Sequence, residues 1–262
     1  MRQKIQKYNI PIWYLANLIF TGGLLCLHFV WKSAGDYSVS FTQFGPMLAT
    51  FLLIYIVKDK NALKKIQTGL FFHIQDIVFY VWAAITSFAL IGISSFLLGV
   101  IFSNPYLAWN GTPIFYSLNF MAMLLGSIGE ELGWRGYLLP VLNKRFTPFF
   151  SSILVGCLWG FWHLNYAGDI IFWLIFIMTT VELSIIFTFF LYKTNGNLWT
   201  AIILHAFFNL ANRVFVWGRF NINLLLTEMI LFGLICVVVV AVNKGWMFHK
   251  KVTFPKGKSL SI

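Results

Sequence analysis

Long apolar segments recur along the whole chain and constrain its fold more than any other feature. A transmembrane helix needs about 20 mainly apolar residues, and backbone polar groups inside a bilayer are satisfied only in helices and closed barrels. Segments of this kind lie at residues 10–31, 44–57, 74–102, 114–142, 148–166, 170–192, 198–217 and 222–242. The sequence therefore predicts an all-α fold, a polytopic transmembrane helical bundle of about eight helices.

The composition agrees with a membrane protein that has no large soluble part. Charged residues make up 10% of the chain and hydrophobic residues 59%, whereas an ordinary soluble domain has roughly 25% charged residues. No clear internal repeat or low-complexity linker divides the sequence. We therefore expect a single domain over residues 1–262, with a motif-bearing core at about residues 114–217.

The basic residues are distributed asymmetrically between the predicted connections. With the amino terminus in the cytoplasm, fifteen Lys and Arg residues fall on the cytoplasmic side and three on the outer side. Cytoplasmic connections of membrane proteins carry such an excess, so we expect a multi-pass protein with both termini in the cytoplasm. The net charge of +11 is then assigned to contact with membrane lipids and not with nucleic acid. The basic stretch 58–73 fits a short amphipathic helix at the interface.

Ionisable side chains are rare within membrane helices and usually mark functional sites. All four glutamates of the chain fall inside the predicted spans, and these are Glu130, Glu131, Glu182 and Glu228. His163 and His205 also lie deep in their segments. Counted from the nearest cytoplasmic end, Glu130, His163 and His205 lie at similar depths of roughly 20 Å, at about 1.5 Å per residue. Three polar groups on three helices can therefore converge.

The two adjacent glutamates face different directions. Glu131 and Arg135 are four residues apart on one helix face, where they can form an ion pair. Glu130 points about 100° away and has no partner on its own helix, so it is free to face the histidines. The pairs Gly129–Gly133 and Gly156–Gly160 predict that segments 114–142 and 148–166 pack closely and bring Glu130 and His163 together.

These residue types can hydrolyse an amide bond. A glutamate beside a histidine can activate a water, and a second histidine with an asparagine can stabilise an oxyanion. Asn209 follows His205 by four residues and shares its helix face. The same Glu130, His163 and His205 could instead bind zinc, although no H-E-x-x-H spacing is present. A transporter or channel that relays protons or cations through the buried residues is the alternative from another functional class.

Three motifs resemble those of one family. They are Glu130-Glu131-x-x-x-Arg135, Trp159-x-x-x-His163 and His205-x-x-x-Asn209. In order, spacing and helix placement they resemble the CAAX-protease and bacteriocin-processing (Abi) family of intramembrane proteases, which includes the type II CAAX prenyl endopeptidases. The family commonly has phenylalanine where this chain has Trp159, and this conservative aromatic exchange does not weaken the resemblance.

The resemblance implies a role for each matching residue. Glu130 and His163 would activate the water, and His205 and Asn209 would stabilise the oxyanion. Glu131 and Arg135 would support the site or bind substrate. The expected substrate is a membrane-associated peptide, lipidated or related to a bacteriocin, and the expected location is the bacterial plasma membrane. The resemblance leaves open a glutamate-dependent or a zinc-dependent mechanism, and also a catalytically idle adaptor or immunity protein. Glu182 and Glu228 lie outside the motifs and are assigned to structure.

Overall fold

The computed structural model describes residues 8–30, 41–102, 118–165, 167–215 and 221–250, and no strand occurs in these ranges. The α-helices in chain order are α1 (Asn9–Val30), α2 (Gly45–Val57), α3 (Lys60–Gly69), α4 (Ile77–Phe102), α5 (Leu118–Gly133), α6 (Leu139–Asn143), α7 (Pro148–Trp162), α8 (Ile170–Lys193), α9 (Leu198–Phe215) and α10 (Ile222–Met247). A 3₁₀ turn, Phe41–Phe44, precedes α2, and a π turn, Trp134–Leu138, joins α5 to α6.

The predicted all-α, polytopic bundle is confirmed. Each of the eight predicted apolar segments contains helix. Within the described ranges, five helical stretches are long and apolar enough to cross a membrane, and Phe41–Val57 and Pro148–Trp162 are shorter apolar helices. The chain is therefore a multi-pass integral membrane protein. Residues 114–117 of predicted segment 114–142 and residues 216–217 of predicted segment 198–217 lie outside the described residues.

Three predicted segments differ in detail from the structure. Segment 114–142 is interrupted by the π turn, in which the Leu139 N–H bonds to the Trp134 carbonyl. Segment 148–166 stops being helical at Trp162, because Leu164 adopts a positive φ of 56° that a right-handed helix cannot accommodate. Segment 222–242 continues to Met247, across a kink at Asn243.

The predicted amphipathic stretch forms the short helix α3. Asp59 caps its amino terminus, and the Asp59 carboxylate accepts a hydrogen bond from the Ala62 N–H. Its apolar face is anchored by Ile66, which is 2% exposed and belongs to the main core. Lys64 and Lys65 are exposed. The helix thus buries one face against the bundle and leaves its lysines outside, as expected for an interfacial helix.

The glycine pairs do allow close packing, but the predicted partners are wrong. A Cβ added to Gly129 would lie 2.8 Å from the Gln43 carbonyl oxygen, and one added to Gly133 would overlap Pro46. The glycine face of helix α5 therefore packs against the start of α2 and not against α7. Gly156 and Gly160 instead face α8, where added Cβ atoms would meet the backbone of Val181 and of Ile177. The error arose because a small-residue pair indicates a close approach without naming the neighbour.

We expect Gly156→Ala to destabilise the bundle by about 1–3 kcal/mol, because the added methyl group overlaps the backbone of α8. The measurement is thermal unfolding in detergent. Gly92→Ala is the matched control, since its Cβ would have Phe215 ring atoms as nearest neighbours at an ordinary 3.5 Å. Equal unfolding midpoints for the two variants would contradict the packing of α7 on α8.

Candidate active site

Three elements bring the predicted polar residues together around one indole. Helix α5 supplies Glu130 and Glu131, the carboxyl end of α7 supplies Trp159 and His163, and α9 supplies His205. The Trp159 ring centroid lies 5.9 Å from that of His163 and 5.3 Å from that of His205. The convergence predicted from equal depth is therefore present, with the side chain of Trp159 at its centre.

The predicted ion pair between Glu131 and Arg135 is confirmed. The Glu131 Oε1 atom accepts a hydrogen bond of 3.0 Å from the Arg135 Nη1, and both side chains are fully buried. The same oxygen lies 2.8 Å from the His205 Nδ1. A carboxylate bonded to two groups of opposite or neutral charge is much less costly to bury than an isolated one.

Aromatic rings surround the guanidinium of Arg135. Its Cζ atom lies 4.6 Å from the Trp159 ring centroid and 4.4 Å from the Phe187 ring centroid. Among the described residues the Arg135 Nε and Nη2 atoms have no hydrogen-bond partner. The two ring faces therefore supply, through cation–π attraction, part of the stabilisation that water would give an exposed arginine.

The partner of each histidine determines which ring nitrogen is free. His163 directs its Nδ1 to the Trp159 carbonyl oxygen at 2.9 Å. A carbonyl only accepts, so this Nδ1 carries hydrogen and the Nε2 of neutral His163 carries a lone pair. His205 directs its Nδ1 to the Glu131 carboxylate, and no hydrogen bond to its Nε2 occurs among the described residues. The carboxylate also supplies the countercharge that a protonated imidazole would need.

His163 was predicted within a helix, but it lies immediately after α7, at the position that caps its carboxyl end. Its ring packs edge-on against Trp162 and Phe176, with centroid distances of 4.8 and 5.1 Å. The side chain is only partly buried, whereas His205 is buried. The two histidines therefore differ in their access to the surroundings as well as in their hydrogen-bond partners.

Glu130 is held by two donors, neither of them a histidine. Its Oε1 atom accepts a hydrogen bond of 2.9 Å from the Gln43 amide, and its Oε2 atom accepts one of 2.7 Å from the Trp159 indole. The indole that donates to this carboxylate contacts both imidazole rings, but no described hydrogen bond joins Glu130 to either histidine. The expectation that Glu130 faces the histidines is thus confirmed only as proximity.

Two residues donate hydrogen bonds to Glu130 that were not predicted from the sequence. Gln43 precedes an apolar segment as a single polar residue, which gives no signal of a site 87 residues away. The exchange of phenylalanine for Trp159 leaves the resemblance intact, but its hydrogen-bond donor was not considered. The indole N–H donates to Glu130, which a phenyl ring cannot do.

Asn209 lies one helical turn beyond His205 on α9 and is partly buried. In the part of the chain that the structure describes, its side chain forms no hydrogen bond. Its amide N–H groups are therefore available to a ligand on the same helix face as the free nitrogen of His205.

The donor set does not fit the candidate zinc site. Within the described ranges no group of three or more His, Cys, Asp or Glu residues is placed to hold a metal ion. Both oxygens of Glu130 already accept hydrogen bonds from neutral groups. Glu130, His163 and His205 therefore surround Trp159 without forming a three-ligand set.

The two remaining glutamates, of which only Glu228 is buried, form no described contact with this cluster. Glu182 lies on α8 with one oxygen 3.0 Å from the position of a Cβ on Gly233, and Glu228 is buried on α10. Neither forms an ion pair with Arg135, whose described salt bridge is to Glu131. Glu182 and Glu228 thus stay outside the site, in line with their assignment to structure.

We expect Arg135→Met to destabilise the protein by about 3–5 kcal/mol, because it leaves the Glu131 carboxylate buried with one charged partner fewer. Thermal unfolding in detergent gives the measurement. Lys144→Met removes an exposed positive charge from the connection that follows α6. It is the control and should change stability little. Similar losses for both variants would refute a structural ion pair.

The sequence of this chain is similar to a family model and to known proteins. A family model described as "Type II CAAX prenyl endopeptidase Rce1-like" matches residues 112–211. CAAX prenyl protease 2 of Methanococcus maripaludis is 26% identical over 285 residues, which cover 95% of this chain and 97% of that protein. Lysostaphin resistance protein A of Staphylococcus haemolyticus is 23% identical over 210 residues, which cover 76% of this chain and 56% of that protein.

The matched range contains the whole of the polar cluster except Gln43. Residues 112–211 include both glutamates of α5, Trp159 and the histidines, together with Asn209. The resemblance found in the three short motifs therefore extends over a continuous stretch of about 100 residues. Residues 112–211 are therefore similar to the Rce1-like family, and nearly the whole chain is similar to a CAAX prenyl protease.

Proposed function

We propose that this protein is an intramembrane endopeptidase that hydrolyses a peptide bond with a water activated by Glu130 and His163. His205 and Asn209 stabilise the oxyanion, and Glu131 with Arg135 holds His205 in place. The family match and the similarity to a CAAX prenyl protease support the protease activity. The roles of individual residues rest on the contacts between their side chains.

The observation that carries the proposal is the difference between the partners of the two histidines. His163 is bonded to a neutral carbonyl, so its free Nε2 offers a lone pair that can accept a proton from water. His205 is bonded to a carboxylate, so its Nε2 can carry a proton and donate to a developing oxyanion. Environments that separate two like groups in this way are typical of paired acid and base functions.

The burial of Glu131 and Arg135 favours a supporting role over direct contact with substrate. Glu131 is 0% exposed and Arg135 1% exposed. Glu131 fixes the Nδ1 side of His205, and Arg135 neutralises Glu131. Such a second layer determines which ring nitrogen faces the substrate and keeps the imidazole oriented.

The substrate is proposed to be a membrane-associated peptide of CAAX type, with a lipidated cysteine. This rests on the name of the Methanococcus maripaludis relative and on the burial of the cluster within an apolar bundle. A reaction that occurs beside lipid suits a peptide whose lipid group keeps it in the bilayer. Quenched fluorescent peptides with and without the prenyl group measure this preference directly.

We expect Glu130→Gln and His163→Ala to lower cleavage in proteoliposomes by about 10²–10⁴-fold, because each removes a group that takes up a proton. His205→Ala and Asn209→Ala should cost about 10²–10³-fold through loss of an oxyanion donor. Each variant is compared with the wild type for cleavage of the prenylated CAAX peptide. Glu228→Gln changes a buried glutamate outside the cluster and should keep wild-type activity.

Wild-type cleavage by Glu130→Gln would sink the proposed mechanism. Since the donor set does not fit a metal site, chelator should leave the wild-type rate unchanged. Proton or cation flux across the same proteoliposomes tests the transporter alternative. Flux that depends on Glu130, in the absence of any peptide cleavage, would favour transport over hydrolysis.

We further propose that both termini lie in the cytoplasm of a bacterial cell. The excess of Lys and Arg in alternate connections supports this orientation. In a background without the three native cysteines, Asn165→Cys should react with a membrane-impermeant maleimide in intact cells. Lys144→Cys should react only after permeabilisation, since it lies in the connection at the opposite end of α7. The reverse pattern would invert the topology.

A further inference from the structure

We propose that Gln43 and Trp159 are positioning residues that fix the carboxylate of Glu130 from opposite sides, and that Gln43 therefore extends the functional site beyond the range that is similar to the Rce1-like family. This inference rests on the proposed function, because it assigns Glu130 the role of base. Gln43 lies outside residues 112–211 and outside the three sequence motifs. Nothing in the pattern of the sequence connects it to the glutamates.

The two hydrogen bonds are arranged to orient the carboxylate as well as to hold it. Gln43 donates to Oε1 at 2.9 Å and Trp159 donates to Oε2 at 2.7 Å. One donor on each oxygen fixes the plane of the group, whereas a single donor would leave it free to rotate. Each carboxylate oxygen has a second lone pair that remains available to a water.

Neutral donors suit a base better than a positive charge would. Glu130 is 1% exposed, so its carboxylate needs hydrogen bonds to stay buried. A cationic partner would hold the negative charge more strongly and weaken the base. Glu131 provides the comparison, since it is bonded to Arg135 and belongs to the supporting layer. The neighbouring glutamates thus differ in the charge of their partners.

The position of Gln43 is fixed by the glycines of α5. The Gln43 carbonyl oxygen contacts Gly129, and the Gln43 side-chain amide occupies the space where a Cβ on Gly126 would lie. Pro46 packs on Gly133 in the same groove. The turn Phe41–Phe44 therefore lies directly on the face of α5 that carries Glu130, and the glycines act on Glu130 through Gln43.

Three substitutions test the proposal on the full-length protein in proteoliposomes. Gln43→Met keeps the shape and removes the donor, and Trp159→Phe keeps a ring and removes the N–H. Gly126→Ala displaces the Gln43 amide without touching Glu130. We expect each to lower kcat by about 10–100-fold with little change in KM, because a misplaced base affects the chemical step. Gln67→Met and Gly92→Ala are the matched controls and should retain wild-type kcat.

A Glu130→Asp background separates positioning from a merely structural role. The shorter side chain cannot reach both donors, so Gln43→Met should cost less than about threefold there. A structural role would give the same loss in both backgrounds. A wild-type kcat for Gln43→Met, together with inactive Glu130→Gln, would overturn the positioning role and leave the proposed function intact.

A measurement without cleavage tests the contacts themselves. In ¹⁵N spectra of the detergent-solubilised protein, the Gln43 amide and Trp159 indole resonances are assigned from Gln43→Met and Trp159→Phe. Both should move in Glu130→Ala and stay in place in Glu228→Ala. Unchanged resonances in Glu130→Ala would overturn the proposal even if no peptide substrate is found.

Discussion

The need to neutralise buried charge is the constraint on which the centre of this bundle depends. Glu131 cannot remain ionised inside an apolar bundle unless it is paired, and its single oxygen Oε1 contacts both Arg135 and His205. The guanidinium of Arg135 in turn packs against the rings of Trp159 and Phe187. The Glu131 carboxylate and the groups that neutralise it thus link α5, α7, α8 and α9. The contact with Glu131 also orients the imidazole of His205.

Glycines on α5 and α7 determine which helices can pack closely beside the polar cluster. Gly156 and Gly160 let α7 pack closely on α8, and the ring centroids of Trp159 and Phe187 lie 5.8 Å apart. Gly126, Gly129 and Gly133 let the start of α2 and the preceding turn pack closely on α5. This packing places the Gln43 amide within hydrogen-bond distance of Glu130. The glycines contribute no chemistry of their own. They set the distances at which the polar groups can act, since the backbones could not otherwise come so close.

The sequence predicted what depends on local spacing and missed what depends on the choice of neighbour. Helix content, the Glu131–Arg135 pair and the equal depth of Glu130, His163 and His205 all follow from residue counts along single helices. Hydropathy does not encode which helices become neighbours in the bundle. The partners of the glycine pairs and the contact between Gln43 and Glu130 both depend on that choice. The end of α7 at Trp162 was missed because Leu164, an apolar residue in an apolar run, gives no sign of its positive φ.

The shortness of two helices has a consequence for the membrane around the site. Helix α2 with its preceding 3₁₀ turn covers Phe41–Val57, and α7 has 15 residues, so they span roughly 26 and 22 Å, against about 30 Å of hydrocarbon. Gln43 precedes the start of α2 and His163 follows the end of α7, so both helices stop beside the polar cluster on the same side of the bundle. Hydrophobic mismatch of this kind thins the adjacent bilayer. Thinning of the bilayer beside a short span brings lipid headgroups, and the water that hydrolysis consumes, closer to residues at the end of that span than a full-length helix would.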